Sequence, residues 1–156
     1  MQALVVYYSR TGCTRKVANE LSKELGCDIE EIADNEDRSG PMGFLKSGRQ
    51  AKSKEIIEIQ PVRKDPSQYD MVIIGTPVWA MFMSSPVRAY IHENKDRLKK
   101  VAFFITLGNI GAEQALKDLS EFCGKEAVAT LTVTTRDLSK GYYMDNLKKF
   151  TENIKE

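Results

Sequence analysis

Two short runs, Met71-Val72-Ile73-Ile74-Gly75 and Val101-Ala102-Phe103-Phe104-Ile105, constrain the fold of this chain more than any other feature. Each is too short for a helix and apolar with little alternation. That is the pattern of a strand covered on both faces, as in a parallel sheet. Ala3 to Tyr8 is a third such run, rich in β-branched and aromatic residues. Helical patterns separate the runs. Val17, Ala18, Leu21 and Leu25 share one face of a helix ending at Gly26; Val87, Tyr90 and Ile91 face inward after Pro86; Ala115, Leu116, Leu119 and Phe122 precede Gly124; Leu147, Phe150 and Ile154 line the last helix. Cys27 to Ile32, with Ile29 and Ile32 among acidic residues, reads as an edge strand, and Ala127 to Val133 as the fifth strand. Ile56 to Ile59 reads as a further small strand. The order is strand then helix, five times, which predicts a parallel sheet with helices on both faces because the crossovers are right-handed.

A chain of 156 residues with 42% hydrophobic content fits one well-buried core, and residues 1–156 are read as one domain. No apolar run approaches membrane-spanning length, and the chain opens on a strand in place of a signal-peptide core, so a cytoplasmic protein with no membrane span is expected. Cys13, Cys27 and Cys123 are odd in number and lack metal-ligand spacing, and His92 is the one histidine. Neither a disulfide framework nor a metal site is expected. A net charge of +1 gives no reason to expect nucleic acid.

Chemistry concentrates in the loops that leave the strands. After Tyr8, the turn Ser9-Arg10-Thr11-Gly12-Cys13-Thr14 places three hydroxyls around a glycine just where a helix opens. The first backbone N–H groups of that helix lack intrahelical acceptors, its dipole is positive there, and a glycine lets a ligand approach without a Cβ in the way. The same residues also suit a Ser/Thr-capped helix that binds nothing. Gly-x-x-x-x-Gly-Lys-Ser/Thr and Gly-x-Gly-x-x-Gly are absent, which disfavours nucleotide triphosphatases and dinucleotide Rossmann domains. A Cys-x5-Arg phosphatase loop starting at Cys13 would need Arg where Asn19 stands.

Thr76-Pro77-Val78-Trp79-Ala80-Met81-Phe82-Met83-Ser84-Ser85-Pro86 is unusually apolar for a connection and holds the single Trp. Trp79 there is either a ligand-facing wall or a core residue. Thr106-Leu107-Gly108-Asn109-Ile110-Gly111 is a third loop entering a helix. Arg38, Lys46, Arg49, Lys52 and Lys54 form a basic segment without acidic residues around Met42-Gly43-Phe44-Leu45, read as a solvated face or as an electrostatic guide for an anion. His92 is read as a surface residue. In a sheet of order 2-1-3-4-5 ligands bind where strand order reverses, between strands one and three. That places the hydroxyl-rich turn beside the Trp79 loop, and a phosphate end with an aromatic end describes a mononucleotide carrying a flat ring.

With those residues in view, the chain resembles the flavodoxin family over essentially its whole length. Ser9 to Thr14 matches the family's Ser/Thr-x-Thr-Gly-x-Thr phosphate loop, Gly75-Thr76-Pro77-Val78-Trp79 looks like the second flavin loop, and Thr106 to Gly111 occupies the place of the third. The resemblance implies an α/β flavodoxin-like three-layer sandwich that binds FMN. Ser9, Arg10, Thr11, Gly12, Cys13 and Thr14 would surround the phosphate. Thr76, Pro77, Val78, Trp79 and Ala80 would follow the ribityl chain and ring, and Leu107, Gly108 and Asn109 the far edge. It implies a redox protein carrying electrons between partner proteins or to a small flat acceptor such as a quinone. Alternatives are an FMN-dependent NAD(P)H:quinone-type oxidoreductase and a non-redox phosphate-binding or interaction domain. No catalytic acid or base is assigned. The chain departs from the family pattern in its neutral charge, in having no Gly between Thr76 and Pro86, and in having no aromatic residue from Thr106 to Gly111.

Overall fold

The computed structural model describes residues 1–156. Five parallel strands form its centre: β1 (Ala3–Tyr7), β2 (Asp28–Glu31), β3 (Met71–Trp79), β5 (Lys100–Leu107) and β6 (Thr130–Thr134), in spatial order β2-β1-β3-β5-β6. Counting parallel strands alone this is the expected 2-1-3-4-5 order. The sheet also carries a strand the sequence reading did not contain, β4 (Phe82–Met83), antiparallel to the end of β3. Register runs straight across the centre, with Val5 beside Ile73, Ile73 beside Ala102 and Phe104 beside Leu131.

Successive residues of the strands feed two separate cores, because side chains alternate across a sheet. On one face Leu4, Val6, Val72, Ile74, Phe103 and Ile105 pack against helices α3 (Ser85–Asn94) and α4 (Ala112–Cys123). On the other, Val5, Ile73, Ala102, Phe104 and Val133 pack against α1 (Cys13–Leu25) and α6 (Met144–Lys155). Gly75 stands in the middle of β3 because a Cβ there would lie 1.9 Å from the Phe104 ring. Helix α2 (Gly40–Lys52) joins the α3 side through Ala51, and the short α5 (Thr135–Lys140) follows β6 directly.

Four sequence expectations are corrected. Ile56 to Ile59 is not a strand: it runs as irregular chain tied at Gln60 N–H to the Ala33 carbonyl at 2.8 Å, with Ile59 packed on the core. The fifth parallel strand begins at Thr130, not Ala127. The apolar stretch after Thr76 is no free loop, since β3 continues through Trp79 and turns back into β4. Arg38 is not solvated but almost fully buried. His92 is exposed and lies over the Phe122 ring.

Candidate functional site

The strands β1, β3, β5 and β6 all end at one edge of the sheet, and a cleft opens there. The turn after β1 comes first. Gly12, at φ 102 and ψ −10, starts α1 with no side-chain cap, and its own N–H donates to Ser9 Oγ at 3.0 Å. The first intrahelical bond is Lys16 N–H to the Gly12 carbonyl, so the N–H groups of Cys13, Thr14 and Arg15 precede any helical acceptor. No acidic residue sits in this first turn. The positive helix end is therefore uncompensated.

Two hydroxyls meet at the base of the cleft. Thr14 Oγ1 lies 2.8 Å from Thr106 Oγ1, which brings α1 and the end of β5 together, and both side chains are buried. A hydroxyl pair uses one of its two hydrogens internally, which leaves the other for an acceptor placed in the cleft. Arg10 frames the mouth. Its Nε donates to the Arg38 carbonyl at 2.8 Å and its Nη2 to the Gly40 carbonyl at 3.2 Å, with the guanidinium 5.8 Å from the Phe44 ring centre. Held by carbonyls alone, it keeps its charge for an anion.

The opposite wall is Trp79, clamped from two sides. Tyr8 meets it edge-on at 5.6 Å between centroids, and the Arg38 guanidinium stacks on the indole at 4.9 Å. Arg38 is fixed in turn by Asp34 Oδ2 at 2.8 Å, Ser47 Oγ at 2.9 Å and Gln50 Oε1 at 2.8 Å. Burial, helped by the Asp34 carboxylate, pushes the Tyr8 phenol above its ordinary range, so it remains protonated as part of the wall. A hydrogen bond from Lys46 holds the Glu36 carboxyl below its ordinary range. The hairpin carrying Trp79 turns at Ala80 and Met81, both non-glycine residues at positive φ, 50 and 73. Two-residue turns of this kind usually take Asn-Gly. Asp118 anchors the return strand: its carboxylate accepts the Met83 N–H at 3.1 Å and pairs with the buried Arg88.

Of the residues singled out from sequence, the cleft brings together Arg10, Thr11, Cys13, Thr14, Pro77, Val78, Trp79, Ala80, Leu107 and Gly108. Ser9, Gly12, Thr76 and Asn109 do not line it. Ser9 instead braces the turn. Thr76 is wholly buried, with its Oγ1 accepting the Ser84 N–H at 3.0 Å, and Asn109 lies exposed at the rim. Lining residues that the sequence reading missed are Phe44, Ser47 and Gly48 from α2, Thr106 from β5, and Val133, Thr134, Thr135 and Leu138 from β6 and α5. Of these Thr106 carried the one available signal, a hydroxyl opening the third loop. No carboxylate lines the cleft. Its volume of about 200 Å³ is below the roughly 300–1,000 Å³ of pockets that bury most of a drug-sized ligand.

A doubly wound α/β sheet with an uncapped helix N-terminus and an aromatic wall at its switch point defines the architectural class. The flavodoxin family model matches residues 2–154, and the chain belongs to that family. Among solved structures it is similar to a flavoprotein from Lactobacillus acidophilus NCFM in complex with FMN, at TM-score 0.72 and 22% identity, covering 92% of this chain and 98% of that one. The two-electron reduced flavodoxin of Megasphaera elsdenii matches at TM-score 0.54 and 21% identity, over 85% of each chain. Rubredoxin oxygen:oxidoreductase from Desulfovibrio gigas matches at TM-score 0.53 and 15% identity, over 98% of this chain and 37% of that one. At these identities the likeness is one of fold. A search of curated proteins finds no match. No helix is long and apolar enough to cross a membrane.

Proposed function

We propose that the cleft holds FMN and that the protein carries electrons between partner proteins or to a small flat acceptor. One observation carries this reading: the uncapped, acid-free start of α1 opens into a cleft with no carboxylate and an aromatic wall. Cys13, Thr14 and Arg15 N–H groups, the Thr11 hydroxyl, the Thr14–Thr106 pair and Arg10 would hold the phosphoryl dianion, with Ser9 and Gly12 shaping the turn. Pro77, Val78, Trp79, Ala80, Leu107 and Gly108 would bound the ring, Thr76 fixing the hairpin behind them and Asn109 reaching the outer edge. When bound, the flavin supplies the redox chemistry, and the protein supplies binding, orientation and exclusion of water. A cleft of about 200 Å³ would leave an edge of the ring outside, and electrons would enter and leave there.

Titration of the chain with FMN and with riboflavin tests this. Two charge-assisted hydrogen bonds of about 1.5 kcal/mol each predict FMN binding about a hundredfold tighter than riboflavin. Equal affinities would remove the phosphate site. Trp79 is the single Trp, so its emission should be quenched at saturating FMN; unchanged emission would return it to the core alone. A second reading, a reductase fed by a nicotinamide nucleotide, draws on the Arg10 cation at the mouth. Anaerobic NADPH added to FMN-loaded protein separates the two: slow bleaching of the flavin is expected, and rapid bleaching would favour the reductase.

A further inference from the structure

Five of the nine large apolar side chains that this protein exposes stand on the segments that frame the cleft. Met42, Phe44 and Leu45 on α2, Met81 at the hairpin tip and Ile110 before α4 are all solvent-exposed, Met42 at 78% and Ile110 at 70%. They lie along one arc. Gly48 of α2 faces Ala80, whose Cβ is 4.0 Å from where a Gly48 Cβ would stand, and Gly111 backs onto Met81, whose Cα would be 3.1 Å from a Gly111 Cβ. A small ligand in the cleft would cover Phe44 but not Met42, Leu45 or Ile110, which do not line it. Exposed apolar side chains grouped on neighbouring segments in this way mark contact with something larger.

The charge beside the arc says what kind of partner. Helix α2 carries Lys46, Arg49 and Lys52 and no acidic residue. Glu36 answers Lys46 at 2.9 Å, whereas Arg10, Arg49 and Lys52 enter no ion pair. The carboxylates near the arc are Asp37, which accepts from Ser39, Glu113 on α4, and Glu55, whose N–H donates to the Gln50 carbonyl just past α2. A second copy docking by two-fold symmetry through this face would bring the basic face of α2 against the same basic face of its partner. An interfacial helix lays a long apolar face into a membrane, but α2 turns its own packed face into the protein and leaves one apolar turn outside. We propose that the arc is the docking surface for an acidic electron-transfer protein whose contact face is apolar. The function of the contact rests on the FMN reading; the contact itself does not.

The test uses the full chain, with and without added FMN, and two probes of opposite charge: a plant-type ferredoxin, which is acidic, and cytochrome c, which is basic. Calorimetric titration should show ferredoxin binding that weakens as salt is raised, and none of cytochrome c. The double variant Arg49→Glu/Lys52→Glu should bind ferredoxin about tenfold more weakly and lose most of the salt dependence. Phe44→Ser/Leu45→Ser should weaken binding while keeping the salt dependence. All four positions are exposed, so these variants should fold. Preference for cytochrome c, absence of ferredoxin binding, unchanged affinity in the charge variant, sedimentation with anionic lipid vesicles in place of ferredoxin binding, or self-association through α2 would each overturn the proposal. Flavin uptake is measured in the same samples, so failure of FMN binding and failure of docking are separate results.

Discussion

Helices α1 and α4 begin in nearly the same way and do opposite things. Each follows a parallel strand at the same sheet edge and starts from a glycine in the left-handed region without a side-chain cap: Gly12 at φ 102, ψ −10 and Gly111 at φ 101, ψ 3. The surroundings differ. A Cβ on Gly12 would meet nothing within 4 Å, whereas one on Gly111 would meet Met81 Cα at 3.1 Å and Val78 Cγ1 at 3.3 Å. The first turn of α1 has no acid, and that of α4 has Glu113. A helix N-terminus attracts anions only where its N–H groups are left open and uncompensated. At α1 the chain leaves them so; at α4 it uses the same backbone to seat the Trp79 hairpin.

The largest effects should come from filling the two glycines. Gly111→Val combines about 1–2 kcal/mol for a β-branched side chain at positive φ with about 1–3 kcal/mol of overpacking against Met81 and Val78. Stability in urea should fall by about 2–5 kcal/mol on those two scales. Gly12→Val carries the conformational cost alone, about 1–2 kcal/mol, but should cost FMN binding far more than its partner does. Equal losses of FMN affinity in the two variants would break the distinction between an open and a filled N-terminus.

Threonine substitutions come next and separate ligand contact from packing within the α1 turn. Thr14→Ala strands the buried Thr106 hydroxyl, so it should cost about 1–3 kcal/mol of stability before any ligand is added. Thr11 is exposed and its hydroxyl approaches only Cys13 Sγ, at 3.7 Å. Thr11→Ala should leave stability within about 0.5 kcal/mol and weaken FMN by about 1–2 kcal/mol. Riboflavin affinity should not move. A stability loss in Thr11→Ala as large as in Thr14→Ala would show that the hydroxyls serve the turn and not a ligand.

The same contrast explains what could be read from the sequence. Parallel strands, the helix faces and the Ser9–Thr14 turn depend on local periodicity and on one compact motif, and each leaves a mark in consecutive residues. The β3–β4 hairpin leaves none, because Ala80 and Met81 are poor turn residues held in place by tertiary contacts, among them Asp118 on Met83 N–H. Arg38 read as part of a solvated basic run, yet its partners Asp34, Ser47, Gln50 and Trp79 come from both sides of it in sequence and bury it. Phe44, Thr134, Thr135 and Leu138 enter the cleft from α2, β6 and α5, and no spacing rule connects those segments to the turn after β1. Ile56 to Ile59 failed in the other direction. Its apolar residues suit a strand, but beside the free edge of β2 the segment makes one backbone bond, Gln60 N–H to the Ala33 carbonyl, and builds no ladder.

The smallest effect concerns the hairpin tip that fills the space beside Gly111. Ala80 at φ 50 pays about 1–2 kcal/mol for its left-handed backbone. Ala80→Gly removes that cost but adds about 0.4–1 kcal/mol of chain entropy to the unfolded state. The net expectation is a gain of about 0.5 kcal/mol, read as a small rise in the urea midpoint with no change in slope. Ala80 also lines the cleft beside Trp79, and a glycine there gives a looser wall. FMN affinity should therefore fall slightly as stability rises, the trade expected where backbone strain holds a site in shape. A variant that gained in both would show that the strain at Ala80 is incidental, and that the packing of Met81 against Gly111 alone sets the wall.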